Sequence, residues 1–343
     1  MIDDAKKVTS EAIAQAAREG RVSAVMTALT AAATFFAVLS VLVFLGFLLF
    51  MGGSWLLEGE AAIGASGGVE RYNWQVLFFG GSQLSVTGGI FPAIVGTVVL
   101  TLLMSVIVAP LGIIVALYLT EYAGDSWTTQ LLRIGVQNLA AIPSIIYGVF
   151  GLAFFVYVIG GRLDSFFFES SLPSPTFGAP GLLWASLTLA ILTLPTVIVA
   201  TEEGLSRLPA TLREGSRALG ATRGETLLHV VLPAATPSIL TGVILAISRA
   251  AGEVAPLMLV GVVKYAPSLP VSMQAPFIHL EQKFMHLGFF VYDLTMHAPG
   301  GDGRVGVVAA AGLLLVTVIL TLNIVALLLR MRLRKQYVES GLD

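Results

Sequence analysis

The chain has 343 residues, 56 % of them hydrophobic and only 12 % charged, and its mean hydropathy is +0.88. A water-soluble globular domain carries about 25 % charge, so a soluble fold is excluded and an all-α integral membrane protein is expected. The lack of cysteine rules out disulfides, thiolate metal sites and thiol catalysis, and with a net charge of −2 the placement of the charges matters more than their sum.

Residues 1–22 read as a cytoplasmic, amphipathic, alanine-rich arm that includes Asp3, Asp4, Glu11 and Glu19. The apolar run behind it is too long and too far from the start for a cleaved signal peptide, so it reads as a retained anchor. A hydrocarbon core about 30 Å thick takes roughly 20 residues of helix to cross. Six segments qualify: 25–51, 92–120, 135–159, 181–201, 238–262 and 305–329. Residues 23–331 thus form a single transmembrane domain, with residues 332–343 as a tail. The first external loop, 52–91, is glycine-rich and offers Trp55 and Trp74 to the interfacial belt. Pro110, Pro143, Pro195 and Pro256 fall in the second to fifth spans and predict kinked helices around a pathway, because the backbone groups they free need protein or water as partners.

Lysine and arginine set the orientation. With the N-terminus inside, the cytoplasmic side holds thirteen of them (Lys6, Lys7, Arg18, Arg21, Arg133, Arg207, Arg213, Arg217, Arg223, Arg330, Arg332, Arg334 and Lys335), and the external side five (Arg71, Arg162, Lys264, Lys283 and Arg304). Both termini are therefore expected in the cytoplasm.

Between the fourth and fifth spans, residues 205–236 hold the stretch LREGSRALGATRGETLLHVVLP, the most charged in the chain. Pro209 suits the start of a short helix, Leu212, Ala218 and Leu219 share one face, and Gly220 ends it. Thr222 and Glu225 have capping-box spacing and open a second helix, which Pro233 and Pro237 are expected to stop. A solvated loop would leave these caps unexplained. A DNA-binding helix pair has similar punctuation but would be tethered to two membrane spans. The pattern favours a pair of helices that docks on a soluble partner. In SRAAGEVAP, Arg249 falls near the centre of the fifth span with Glu253 one turn on. An arginine at mid-bilayer costs about 2.5–3.5 kcal/mol and should face protein or a cavity. The pair is either a structural staple or an anion site in a pathway, and the two are compatible. In the last external connection, 264–304, Phe277, Ile278, Leu280, Phe284 and Leu287 suggest a helix lying on the membrane surface. His279, Glu281 and His286 lack an adequate ligand set, so no metal is expected there.

LREGSRALGATRGETLLHVVLPAATPSILTG resembles the cytoplasmic signature of ABC-importer permeases, an E-A-A sequence followed by a glycine and later by Leu-Pro. Glu214, Gly220, Leu232 and Pro233 match, whereas Gly215 and Ser216 replace the alanines. SRAAGEVAPLM, NLAAIPSIIYGVFGLA and GGIFPAIVGTVVLTLLMSVIVAPLGIIVALYLTEYA are similar to the permeases of Pst phosphate importers, and the Ala-Pro after Glu253 to their A-type subunit. The resemblance covers residues 70–331 and implies the type I importer permease fold, with Arg213, Glu214, Arg217, Ala218, Gly220, Ala221, Thr222, Leu232 and Pro233 as the coupling site for an ATPase and Arg249 and Glu253 in the substrate pathway. It further implies a C-type permease partner, an ATPase dimer that binds ATP and Mg, an external phosphate-binding protein, and no cofactor or nucleic acid on this chain. The chain lacks a G-x-x-x-x-G-K-[ST] loop and any catalytic constellation. Importers of sulfate, molybdate or phosphonate share the architecture, and a secondary transporter working without an ATPase is a further alternative.

Overall fold

The computed structural model describes residues 2–58, 60–63, 69–72, 89–124, 126–171, 173–266, 268–297 and 303–339. Helix α1, Ile2–Phe47, runs on through a π turn at Leu48–Gly52 and a last turn at Gly53–Glu58. The backbone is helical from Ile2 without a break into the first span. A short antiparallel hairpin follows, β1 (Glu60–Ile63) against β2 (Val69–Tyr72), with Glu60 opposite Tyr72. Trp74 lies outside the described residues, whereas Trp55 is buried and its ring meets Gly306.

The other helices are α2 (Ile90–Leu117, ending in a π turn at Tyr118–Tyr122), α3 (Trp127–Ala141), α4 (Ser144–Phe167), α5 (Leu182–Ser206), α6 (Ala210–Ala218), α7 (Arg223–Gly252), α8 (Leu257–Val260), α9 (Leu287–His297) and α10 (Gly303–Glu339). Among the described residues, six helical stretches are long and apolar enough to cross a bilayer: Ser23–Leu57, Ile90–Tyr122, Ser144–Phe167, Leu182–Ser206, Arg223–Gly252 and Val305–Arg332.

The centre of the bundle is α5, buried along most of its length between α2 and α7. Leu100, Met104 and Val108 of α2, Leu189 and Val197 of α5, and Ala246 and Ala250 of α7 form one core. Lipid tails are as apolar as leucine, so helices in a membrane associate through close packing, and small residues at the contacts allow it. Gly242 of α7 is such a contact, because a Cβ there would sit 2.8 Å from the Ala200 methyl of α5. By contrast, most side chains of Val25 to Phe50 on α1 are exposed, and α1 meets α10 at its far end, where Gly52 backs onto Ala309.

Residues 268–286 do not form the surface helix that the apolar spacing suggests. Pro270 and Pro276 remove backbone donors from the segment, and its carbonyls serve elsewhere. Leu182 and Leu183 N–H donate to Gln282 and Leu280 O, satisfying the first free amides of α5. Phe284 and Leu287 are consequently core residues, while Phe277 stays exposed.

Candidate functional site

Two helix interruptions meet in this bundle. The first separates α3 from α4: Ile142 and Pro143 are extended, and α4 starts at Ser144. The second separates α7 from α8: Glu253 is extended, with φ −77° and ψ 132°, and Pro256 opens α8. A Cβ on Gly148 would fall 2.7 Å from Pro256 Cα, so only glycine lets α4 lie against the second break. Tyr147, one residue earlier, is buried and donates its hydroxyl to Leu139 O at 2.5 Å, spanning the first break. Irregular backbone at membrane depth survives only inside protein or along a water-filled cavity, and two facing breaks define such a place.

Arg249 and Glu253 sit at the second break. Arg249 occupies the last turn of α7 rather than the middle of a continuous fifth span, because α7 ends at Gly252. A cation there is favoured by the carbonyl end of the helix. Its Nε donates to Glu253 Oε1 at 3.3 Å, a single long contact, with the two side chains 38 % and 19 % exposed. The carboxylate thus holds the guanidinium loosely, leaving most of its donor fork for another acceptor.

The charged hairpin lies between the fourth and fifth spans. Leu219 closes α6, Gly220 turns at φ +91°, and Thr222 caps α7 in a full capping box: its Oγ1 accepts from Glu225 N, and its own N–H donates to Glu225 Oε2 at 2.8 Å. The Ser216 and Thr226 hydroxyls join the two helices at 3.0 Å. Pro233 and Pro237 do not stop the second helix. A π turn at Leu227–Val231 widens the coil just before Pro233, and α7 continues through both prolines into the span.

The sequence-predicted coupling residues fall into three groups. Glu214, Arg217, Ala218, Gly220 and Thr222 are exposed, and Ala221 is half-buried. Leu232 and Pro233 belong to the span, with Leu232 packed beside Leu205 and Val231. Arg213 turns inward to Glu121 at the end of α2, with Nη2 2.6 Å and Nε 3.0 Å from Oε1. Sequence reasoning missed Glu121, Tyr147 and Gly148; the prolines at 143 and 256 were the available signal for the last two. Just before α9, His286 is fully buried, its Nδ1 accepts from Gly288 N, and burial lowers its pKa to about 4. His279 lies 3.5 Å from Glu281, and no set of three possible metal-ligating side chains clusters among the described residues.

A helical bundle with these breaks and a charged hairpin between its fourth and fifth spans is that of a multi-pass membrane permease. Residues 109–335 match the family described as binding-protein-dependent transport system inner membrane component, and the chain belongs to that family. It is 32 % identical to the phosphate transport system permease protein PstA 1 of Mycobacterium tuberculosis over 71 % of each chain. Identity to the probable ABC transporter permease protein YqgH of Bacillus subtilis is 37 %, over 53 % of this chain and 55 % of that one. A crystal structure of a bacterial alginate ABC transporter, in complex with its pentasaccharide-bound periplasmic protein, superposes with a TM-score of 0.50 at 16 % identity, covering 74 % of this chain and 81 % of that one. The fold is that of a type I ABC importer permease.

Proposed function

We propose that this chain is one permease subunit of an ATP-driven importer of inorganic phosphate. The observation that carries the reading is the Arg249–Glu253 pair, a half-exposed guanidinium held by one long hydrogen bond where a membrane helix breaks. A guanidinium fork suits a tetrahedral oxyanion, and the name of the mycobacterial relative supports phosphate as that anion. Arg249 receives the anion as it passes, while Glu253 balances the charge when the pathway is empty. Glu214, Arg217, Ala218, Gly220, Ala221 and Thr222 present the hairpin to an ATPase dimer on the cytoplasmic side. ATP and Mg bind to that partner, and this chain is neither an enzyme nor a cofactor carrier. A C-type permease completes the pathway, an external binding protein delivers phosphate, and both termini lie in the cytoplasm.

The test is phosphate uptake by the assembled complex, with sulfate, molybdate and phosphonate in parallel. Arg249→Ala is expected to abolish phosphate uptake while the complex remains in the membrane. Undiminished uptake would reduce the pair to a staple, and transport of a different anion by the wild type would overturn the substrate.

A further inference from the structure

We infer that Glu121 and Arg213 form the joint through which the α6–α7 hairpin drives the second and fourth spans, and so are a positioning pair for transport. The inference rests on the reading above, in which a partner ATPase moves the hairpin. Every part of the Arg213 guanidinium is engaged. Nε donates to Glu121 Oε1 and Oε2 at 3.0 and 3.3 Å, Nη2 to Oε1 at 2.6 Å and to Leu205 O at 3.0 Å, and Nη1 to Leu208 O at 3.0 Å. One side chain thus gathers the end of α2, the end of α5 and the first hairpin helix.

Burial separates this pair from ordinary surface charge. Its side chains are 19 % and 14 % exposed, against 77 % and 62 % for the neighbouring Arg207–Glu203 pair. An exposed pair of the latter kind contributes little, whereas a bidentate, carbonyl-capped arginine fixes geometry. The joint is also where a force has to cross. The Ser216–Thr226 bond and the Gly220 turn make the hairpin one body. That body is covalently continuous with α7, but it reaches α2 from 92 residues away in sequence. Arg133 of α3 repeats the design nearby, donating to Leu119 O of α2 at 3.0 Å and lying 3.5 Å from Glu202 of α5.

The experiment uses the full complex in proteoliposomes and measures phosphate imported per ATP hydrolysed. Glu121→Gln removes the charge and keeps the shape, whereas Arg213→Lys keeps the charge and loses the fork. Both are expected to lower the ratio about tenfold, within the range of ordinary coupling between sites. A wild-type ratio in both variants overturns the inference, and so does failure of both to assemble, which would make the pair structural. A second measurement does not depend on the anion. The chain contains no cysteine, so nitroxides can be attached to this subunit at Ile114→Cys on α2 and Thr211→Cys on α6, both exposed positions. Their separation is expected to stay fixed on ATP addition in the wild type and to change in Glu121→Gln. A separation that ATP already alters in the wild type overturns the joint. If the wild type imports no phosphate, the substrate reading fails, and the spin-label distances alone decide the joint.

Discussion

His286 shows at residue scale how burial sets behaviour. Its neutral ring is enclosed, and its pKa falls from 6.5 to about 4. The unfolded chain therefore binds a proton that the native protein refuses, between about pH 6.5 and 4. Native stability from this group is present above pH 6.5 and is lost as pH falls toward 4, in full on the order of 3 kcal/mol. Thermal unfolding in detergent at pH 7.5 and pH 5 should show a drop in midpoint that His286→Asn reduces; an equal drop in both proteins would remove His286 as the cause. Gly148 makes a second case. Its absent Cβ is what lets α4 lie against Pro256, so Gly148→Val is expected to push the two breaks apart. Overpacking of this kind costs about 1–3 kcal/mol, and the variant should both melt earlier and take up less phosphate.

At the scale of elements, the hairpin depends on backbone geometry more than on side-chain bulk. A Cβ on Gly220 would meet nothing within 4 Å, but the residue sits at φ +91°, where an L-residue is strained by about 1–2 kcal/mol. Gly220→Val should weaken retention of the ATPase on membranes, and Gly220→Asn, which tolerates that region, should weaken it less. Equal retention by both would mean that the turn does not shape the docking surface. The hairpin was readable because its signals are local: Thr222 and Glu225 are three residues apart, and the glycine comes just after Leu219, which closes α6. Glu121 was not readable, since its partner is 92 residues away and an acidic residue at the end of an apolar run looks like any membrane-surface charge. The four intramembrane prolines carried half of their meaning. Pro110 and Pro195 sit inside unbroken helices. Pro143 and Pro256 stand at the starts of new ones, where a missing N–H costs no bond. Which behaviour a proline adopts is decided by its neighbours in space, so the position of the breaks could not be read from spacing alone.

For the molecule as a whole, the six spans were legible because each is a long apolar run, and the bilayer leaves such a run little choice but a helix. The docking of Leu280 and Gln282 onto α5 was not, because it uses backbone carbonyls that any sequence carries. The proposed division of labour makes two further predictions. Proteoliposomes containing both permeases and the binding protein but no nucleotide should accumulate no phosphate, and accumulation there would point to a secondary transporter. A cysteine at Ala218, exposed on α6, should cross-link to the ATPase subunit, and failure across the whole hairpin would remove the docking role.

The continuity of α7 has a temporal consequence. The helix that begins at the capping box of the hairpin is the same one that ends beside Arg249, 30 residues in all, or about 45 Å at 1.5 Å per residue. No hinge loop divides the end proposed to meet the ATPase from the end proposed to meet the anion. Motion at the two ends should therefore relax with one rate constant, and a probe at each would record a single event rather than a relay.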